Sequence, residues 1–277
     1  MRNVVTPDGV RLNYDDQGTG MPVLCLPGLT RNMDDFLPFL KGFKYRVRVI
    51  RLDFRGRGGS DWAPVETYSV PQEAADVITL LDHLNLPEVA ILGTSRGGLV
   101  AMMLAVTARS RLMGVFLNDV GPVVAPEGLD AIMDYIGKPP PYRDLAEAAA
   151  AMPAAHPSFR NVSAAQWAAF VRALWQETDD GLALRYDPEL RTAVAASFDT
   201  SKPAPDLWPL FDAFEGLPLA LLRGAGSNIL TEATAQDMIQ RRPDMLFAEL
   251  ADRGHVPFLD EPGAVALMES WLEHLHG

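Results

Sequence analysis

A glycine-flanked serine constrains the fold of this chain more than any other feature, because of what lies on either side of it. The apolar run at 89–92 leads directly into Gly-Thr-Ser-Arg-Gly at 93–97, and an apolar helical pattern follows. A serine held in a sharp turn between a strand and a helix adopts a strained backbone, and glycines two residues away let the two elements approach. The pattern therefore predicts a strand, a tight turn at Ser95 and a helix. The alternative is an ordinary serine in a glycine-rich turn, since short motifs discriminate poorly.

Short apolar runs alternate with helical patterns along most of the chain, and most of these runs are apolar enough to be covered on both faces. They lie at 23–26, 47–52, 89–92, 115–117, 219–222 and 246–250. An Asp-Gly turn at 8–9 between two further apolar segments predicts an N-terminal hairpin. This alternation predicts an α/β protein with a mainly parallel sheet wrapped in helices.

Between the fourth and fifth of those core strands the pattern changes. Residues 122–211 contain alanine-rich helical stretches, a run of three prolines and several aromatic residues, with no convincing strand. We expect a helical cap, or lid, at 122–211, inserted into a core formed by 1–121 and 212–277.

Composition excludes several classes of function. The chain has 277 residues, 48% of them hydrophobic, which argues against disorder. Its 36 acidic residues outnumber its 24 basic ones, and no basic block is present, so nucleic acid is not an expected partner. There is no apolar stretch typical of a secretory signal or a membrane span, so we expect a cytoplasmic protein that does not bind membranes. The single cysteine, Cys25, excludes an internal disulfide and a cysteine-based metal cluster, and its apolar surroundings predict a core position.

A serine needs a base to act as a nucleophile, and one histidine is well placed to supply it. His255 follows the last predicted strand, and the preceding Gly254 leaves the loop free to turn the ring toward the carboxyl edge of the sheet, where ligands bind in such folds. A loop histidine bonded only to the backbone is the alternative. The other histidines fit a helix end, the cap and the C-terminus, and they are His83, His156, His274 and His276.

In combination, these segments resemble the α/β-hydrolase family, whose chain order is nucleophile, acid, histidine. Leu-Pro-Gly-Leu at 26–29 stands where the family carries its oxyanion loop, residues 53–61 look like its Asp-x-Arg-Gly-x-Gly-x-Ser turn, and residues 254–257 match the segment around its histidine. The resemblance implies an α/β-hydrolase fold, with a mostly parallel eight-stranded sheet flanked by helices and a helical cap insertion.

The resemblance also implies acyl transfer to water. Ser95 would attack a carbonyl, and His255 would take its proton and later return one to the leaving group. By position in the family pattern, backbone N–H groups of Arg96 and Leu29 would form the oxyanion hole. Pro27 stands where the family usually has histidine, but the backbone donor of Leu29 survives that change.

The acid of the expected triad is where this sequence departs from the family. The family pattern after the strand at 219–222 is Ser-Asp, whereas this chain has Ser227-Asn228. An amide at Asn228 cannot stabilise an imidazolium as a carboxylate does. Three explanations stay open: a substitution introduced to trap a ligand, a relocated acid at Asp119 after the adjacent strand, or a protein that binds ligand without turning it over. Asp119 has a plainer alternative role, which is to order the turn into the cap.

The nature of the substrate is less constrained. Trp167 and Phe170 in the cap would line an apolar cleft, although aromatics at helical spacing also form cap cores. Arg96 would pair either with a substrate carboxylate or with a nearby acidic side chain. A serine nucleophile disfavours the epoxide hydrolases and haloalkane dehalogenases of the family, which use aspartate.

These observations predict a serine hydrolase that cleaves a small, largely apolar carboxylic ester or lactone. The alternatives are a carbon–carbon bond hydrolase of the same fold and a non-catalytic ligand-binding protein on a hydrolase scaffold. No metal-ligand constellation, phosphate-cradling loop or dinucleotide fingerprint is present in the sequence, so no metal or cofactor is expected. The oligomeric state is left open.

Overall fold

A central β-sheet organises the part of the chain that the computed structural model describes, residues 2–197 and 205–275. The strands are β1 (Arg2–Val5), β2 (Arg11–Gln17), β3 (Pro22–Leu26), β4 (Arg48–Leu52), β5 (Val89–Thr94), β6 (Leu112–Asn118), β7 (Trp175–Thr178), β8 (Gly181–Leu184), β9 (Leu219–Gly224) and β10 (Leu246–Leu250). The helices are α1 (Leu37–Phe43), α2 (Val70–His83), α3 (Arg96–Thr107), α4 (Pro126–Tyr135), α5 (Leu145–Ala155), α6 (Ala164–Leu174), α7 (Leu190–Ser197), α8 (Trp208–Asp212), α9 (Glu232–Arg241) and α10 (Pro262–His274).

The sheet has eight strands in the order β1-β2-β4-β3-β5-β6-β9-β10 within the described residues. The strands β1 and β2 form the predicted N-terminal hairpin, and β2 pairs antiparallel with β4. All the remaining pairs are parallel. The predicted fold class, a mostly parallel eight-stranded sheet flanked by helices, is confirmed.

Both faces of the sheet are covered, as the continuous apolar strands predict. Successive residues of a strand point to opposite faces, and in β3 the side chains of Leu24 and Leu26 pack into one hydrophobic cluster with residues of α2, α3 and α9. Val23 and Cys25 pack into the other, with residues of α1 and α10. Cys25 is fully buried, and this burial raises the pKa of its thiol.

The segment between β6 and β9 carries α4 to α8, and we refer to the part from α4 to α7 as the cap. The sequence predicts no strand there, and this prediction is wrong: β7 and β8 pair with each other as an antiparallel hairpin. Each strand has only four residues and pairs outside the main sheet, so its sequence signal is weak. At the end of this segment Phe211 of α8 is fully buried in the core against the sheet. Within the described residues, no helix has the length and apolarity needed to cross a bilayer.

The loop after β4 is held by a buried carboxylate. Asp53 accepts hydrogen bonds from the backbone N–H of Met33 at 2.7 Å, from that of Gly59 at 2.9 Å and from Nδ2 of Asn13 at 2.8 Å. Burial raises the pKa of Asp53, and the three donors act in the opposite direction because they stabilise the charged form. Asp53 therefore fixes the turn that follows the strand.

The turn between β5 and α3 has the geometry that the glycine-flanked serine predicts. Ser95 adopts φ 50° and ψ −115°, a backbone conformation that residues other than glycine rarely adopt. A Cβ atom at Gly93 would lie 2.7 Å from the carbonyl carbon of Gly97, and one at Gly97 would overlap the carbonyl oxygen of Leu26. The absence of both side chains lets α3 pack directly against β3 and β5.

We predict that Gly97→Ala destabilises the protein and lowers its activity, because the added methyl group must push α3 away from β3. The expected loss is about 1–3 kcal/mol in the free energy of unfolding, measured by urea denaturation. Gly42→Ala in α1 is the matched control, since a Cβ there meets no atom within 4 Å. It should stabilise the protein by about 0.5–1 kcal/mol, because alanine favours a helix over glycine. Equal effects of the two substitutions would contradict the packing explanation.

Candidate active site

Ser95, His255 and Asp119 meet at the carboxyl edge of the sheet. Nε2 of His255 lies 2.9 Å from Oγ of Ser95, and Nδ1 of the same ring lies 2.7 Å from Oδ2 of Asp119. The side chain of Asp119 is fully buried, whereas that of His255 is 17% exposed. The histidine thus links a buried carboxylate to a hydroxyl that faces a cavity.

The chemistry of the three groups fixes the direction of both hydrogen bonds. An ionised carboxylate only accepts hydrogen bonds. Nδ1 of His255 must therefore carry the proton that it donates to Asp119. In the neutral ring Nε2 is then the acceptor, and the hydroxyl of Ser95 donates to it. This arrangement prepares Nε2 to take the serine proton.

The order of the parallel strands brings these residues together. Ser95 follows β5, Asp119 follows β6 and His255 lies in the loop after β10. The strand β6 lies between β5 and β9, with Asn118 paired with Thr94 on one side and with Leu222 on the other. Parallel strands end at the same edge, so the residues that follow them become neighbours.

The carboxylate of Asp119 has a complete set of partners. It accepts hydrogen bonds from the backbone N–H of Gly224 at 2.8 Å and from Oγ of Ser227 at 2.6 Å, besides that of His255. Its backbone N–H donates to the carbonyl of Leu222 at 2.8 Å. The end of β9 therefore holds Asp119 in place, although the residue itself follows β6.

Asn228 stands at the family's acid position in the sequence, but it does not take the acid's place beside His255. The hydrogen-bonding position at Nδ1 of His255 is taken by Asp119, while Asn228 is an exposed residue on the cavity wall. The preceding residue, Ser227, does contact the site, because its hydroxyl donates a hydrogen bond to Asp119. Where the family pattern has Ser-Asp after one strand, this chain has Ser227 after β9 and the carboxylate, Asp119, after the neighbouring strand β6.

The two backbone groups expected to form the oxyanion hole belong to segments that lie next to Ser95. Arg96 is the first residue of α3, and N–H groups in the first turn of a helix have no partner within it. On the other side, a Cβ atom at Gly28 would lie 3.8 Å from Cβ of Ser95, so the segment that carries Leu29 lies beside the nucleophile. Both Leu29 and Ser95 line the cavity.

The side chain of Arg96 binds an acidic residue. Its Nε donates to Oε2 of Glu73 at 2.6 Å, and its Nη2 donates to the carbonyl of Tyr68 at 3.1 Å. The sequence leaves open whether Arg96 pairs with a substrate carboxylate or with a nearby acidic side chain, and in the structure it pairs with Glu73. The guanidinium is therefore committed to the protein and is not available to pair with a substrate carboxylate.

A cavity of about 1390 Å³ lies between the cap and the sheet and opens onto Ser95 and His255. Phe170 lines it, and the guanidinium of Arg31 lies 4.5 Å from the centre of that ring. Trp167, expected to line the same cleft, is instead 3% exposed in the core of the cap. The large indole is buried against other aromatic rings, with ring centres 5.9 Å from both Phe159 and Phe258.

Three other histidines are described by the structure, and each lies in a different environment. His156 lines the cavity among aromatic side chains, and burial lowers its pKa, with the charge of Arg31 acting in the same direction. Nε2 of His83 lies 3.2 Å from the hydroxyl of Tyr14, and Nδ1 of His274 lies 2.8 Å from a carbonyl of its own helix. His276 lies outside the described residues. Among the residues that are described, no group of three or more His, Cys, Asp or Glu side chains is arranged to hold a metal ion.

Sequence reasoning misses three side chains around this site. Ser227 binds Asp119, Arg57 binds the carbonyl of Leu29, and Glu73 binds the side chain of Arg96. Arg57 stands at a variable position of the turn at 53–61, and Glu73 occurs in an ordinary amphipathic helix. Because their contacts join segments far apart in the chain, no local pattern identifies them.

Comparison with known proteins identifies the family of this chain. Residues 23–266 match the model of the alpha/beta hydrolase family. A 3-hydroxybutyrate-oligomer hydrolase of Cupriavidus necator is 34% identical over 274 residues, which cover 95% of this chain and 93% of that protein. A 3-oxoadipate enol-lactonase of Acinetobacter baylyi is 36% identical over 107 residues, covering 38% of this chain and 40% of that protein.

A solved structure has the same fold over nearly the whole chain. The crystal structure of an alpha/beta hydrolase from Novosphingobium aromaticivorans has a TM-score of 0.89 and 36% sequence identity, covering 98% of this chain and 97% of that one. The resemblance that the motifs indicate is therefore confirmed. The chain belongs to the alpha/beta hydrolase family.

Proposed function

We propose that this protein is a serine hydrolase of carboxylic esters, with Ser95 as nucleophile, His255 as general base and Asp119 as the acid of the triad. The observation that carries the proposal is the pair of contacts made by His255, 2.7 Å to Asp119 and 2.9 Å to Ser95. Nucleophile, base and orienting carboxylate are thus all within hydrogen-bonding distance, which is the arrangement that activates a serine hydroxyl.

In the first half of the reaction Oγ of Ser95 attacks the ester carbonyl while Nε2 of His255 takes its proton. The carbonyl oxygen becomes an oxyanion, to which the backbone N–H groups of Leu29 and Arg96 donate hydrogen bonds. When the intermediate collapses, the bond to the alcohol breaks and His255 returns the proton to the leaving oxygen. An acyl group is then bound to Ser95.

In the second half a water molecule attacks the acyl group, with His255 again taking a proton. The acid product leaves as the proton returns to Ser95. Throughout, Asp119 holds the proton of His255 on Nδ1 and stabilises the imidazolium electrostatically. A purely ligand-binding role gives no reason for a buried carboxylate to orient a histidine against a serine hydroxyl.

Short oligomers of a hydroxy acid are the substrates that we propose. The Cupriavidus necator relative, similar over nearly its whole length, is a 3-hydroxybutyrate-oligomer hydrolase, and such oligomers are chains of carboxylic ester bonds. The cavity of about 1390 Å³ exceeds the roughly 300–1,000 Å³ common for small-ligand sites, so it has room for more than one ester unit. A lactone is the second candidate, because part of the chain is similar to a 3-oxoadipate enol-lactonase and a lactone is a cyclic ester.

We predict that the acid role belongs to Asp119. Asp119→Asn should lower kcat for a p-nitrophenyl ester by about 10³–10⁴-fold, because the amide favours the wrong tautomer of His255. Asn228→Asp is the matched control and should change kcat by less than about threefold, since the added carboxylate does not displace Asp119. Ser95→Ala measures the background rate, and circular dichroism verifies that each variant is folded.

Two results would contradict this assignment. The first is an Asp119→Asn variant that keeps the wild-type rate while folded. The second is a large gain of Ser95-dependent turnover on Asn228→Asp, which would mean that the wild-type chain lacks its acid.

We also predict that the protein cleaves a linear dimer and trimer of 3-hydroxybutyrate, with the released monomer measured by chromatography. The values of kcat/KM should exceed that for ethyl butyrate by about tenfold or more, because contacts to a second unit add binding energy at the transition state. Both activities should vanish in Ser95→Ala. Cleavage of p-nitrophenyl esters without cleavage of the oligomers would contradict the proposed substrate but leave the triad in place.

A further inference from the structure

An ionic network with a buried centre contacts both residues expected to form the oxyanion hole. Nη1 of Arg57 lies 2.9 Å from Oε1 of Glu73, and Nε of Arg96 lies 2.6 Å from Oε2 of the same carboxylate. The side chains of Arg57 and Glu73 are fully buried, and that of Arg96 is 14% exposed. A single carboxylate therefore bridges two guanidinium groups away from solvent.

The two ends of this network reach the two segments of the oxyanion hole. Nε of Arg57 donates a hydrogen bond to the carbonyl oxygen of Leu29 at 2.9 Å. At the other end, Arg96 contributes the side chain that binds Glu73, and its own backbone N–H is the second expected donor. Through the side chains of Arg57 and Arg96, Glu73 thus connects residues Leu29 and Arg96, which are far apart in the sequence.

Arg57 is itself held in a fixed place. Its backbone forms an isolated antiparallel bridge with Tyr186 of the cap, and the N–H of Gly58 donates to the carbonyl of Arg185 at 2.8 Å. Its Nη1 donates to the carbonyl of Arg55 at 2.6 Å. Because both its backbone and its guanidinium are fixed, Arg57 has little freedom to let the Leu29 segment shift.

We propose that the network of Arg57, Glu73 and Arg96 positions the two backbone donors of the oxyanion hole. Glu73 and Arg57 are then positioning residues, which act on the reaction through Leu29 and Arg96 without touching the substrate. The proposal rests on the proposed hydrolase function of the same site.

The chain contains a matched control for this network. Arg55, two residues before Arg57 in the same loop, pairs with Asp76, one turn after Glu73 in the same helix. The distances are 2.7 and 2.6 Å, and both side chains are almost completely buried. The side chain of Arg55 binds Asp8 and Asp76 and has no hydrogen bond to the oxyanion segments. Glu73→Gln and Asp76→Asn therefore remove equivalent charges that differ in their link to the site.

The test compares these two variants by kcat, KM and the affinity for a trifluoromethyl ketone. Oγ of Ser95 adds to the ketone carbon, the carbonyl oxygen becomes an oxyanion and the serine proton moves to His255, so binding reports on the oxyanion hole. The corresponding secondary alcohol, which cannot form this adduct, measures ground-state binding.

Glu73→Gln should lower kcat and ketone affinity by about 10–100-fold, less than the loss typical for deletion of a whole donor. KM and alcohol affinity should change by less than about threefold.

Asp76→Asn should leave kcat and ketone affinity within about threefold of the wild type, although both substitutions lower stability. Equal losses of kcat in the two variants, or a loss confined to KM in Glu73→Gln, would overturn the proposal.

If Glu73→Gln does not fold, Arg96→Met and Arg96→Lys provide the same test, since both keep the backbone N–H. The Met variant should lose ketone affinity and the Lys variant should regain part of it, whereas unchanged affinity in both overturns the proposal. A wild-type protein without Ser95-dependent turnover would instead contradict the hydrolase function.

Discussion

The hydrogen bond between Asp119 and His255 is the interaction on which the rest of the site depends. It fixes the proton on Nδ1 of the ring, and so leaves Nε2 free to accept the proton of Ser95. A buried carboxylate is costly unless it is well paired. Asp119 meets this requirement with the N–H of Gly224, at the end of β9, and the hydroxyl of Ser227, in the loop that follows.

The fold and two members of the site are predictable from the sequence because their signals are local. Apolar runs of three to six residues indicate strands covered on both faces, and the glycines around Ser95 indicate a close approach of strand and helix. The position of His255 after the last core strand places it at the edge where all the parallel strands end. Each of these conclusions needs only the residues of one segment and the general properties of parallel sheets.

The remaining features depend on which segments become neighbours. Asn228 occupies the family's acid position in the sequence, but the order of the strands places Asp119 beside His255. Ser227 then donates its hydrogen bond to Asp119. In the cap, Trp167 and Phe170 are one helical turn apart, and only the packing of α6 decides which ring faces the cavity. The contact of Arg57 and Glu73 likewise joins a loop to a helix, and neither residue has an unusual local context.

The central claim is that a carboxylate from β6 orients the base, and the tautomer of His255 reports on it most directly. Nitrogen-15 NMR of histidine-labelled protein, recorded where the ring is neutral and assigned with a His255→Gln variant, distinguishes a protonated Nδ1 from a protonated Nε2. The structure predicts protonation on Nδ1 in the wild type and a shift toward Nε2 in Asp119→Asn. A wild-type ring protonated on Nε2, or a ring whose tautomer is unaffected by Asp119→Asn, would contradict it.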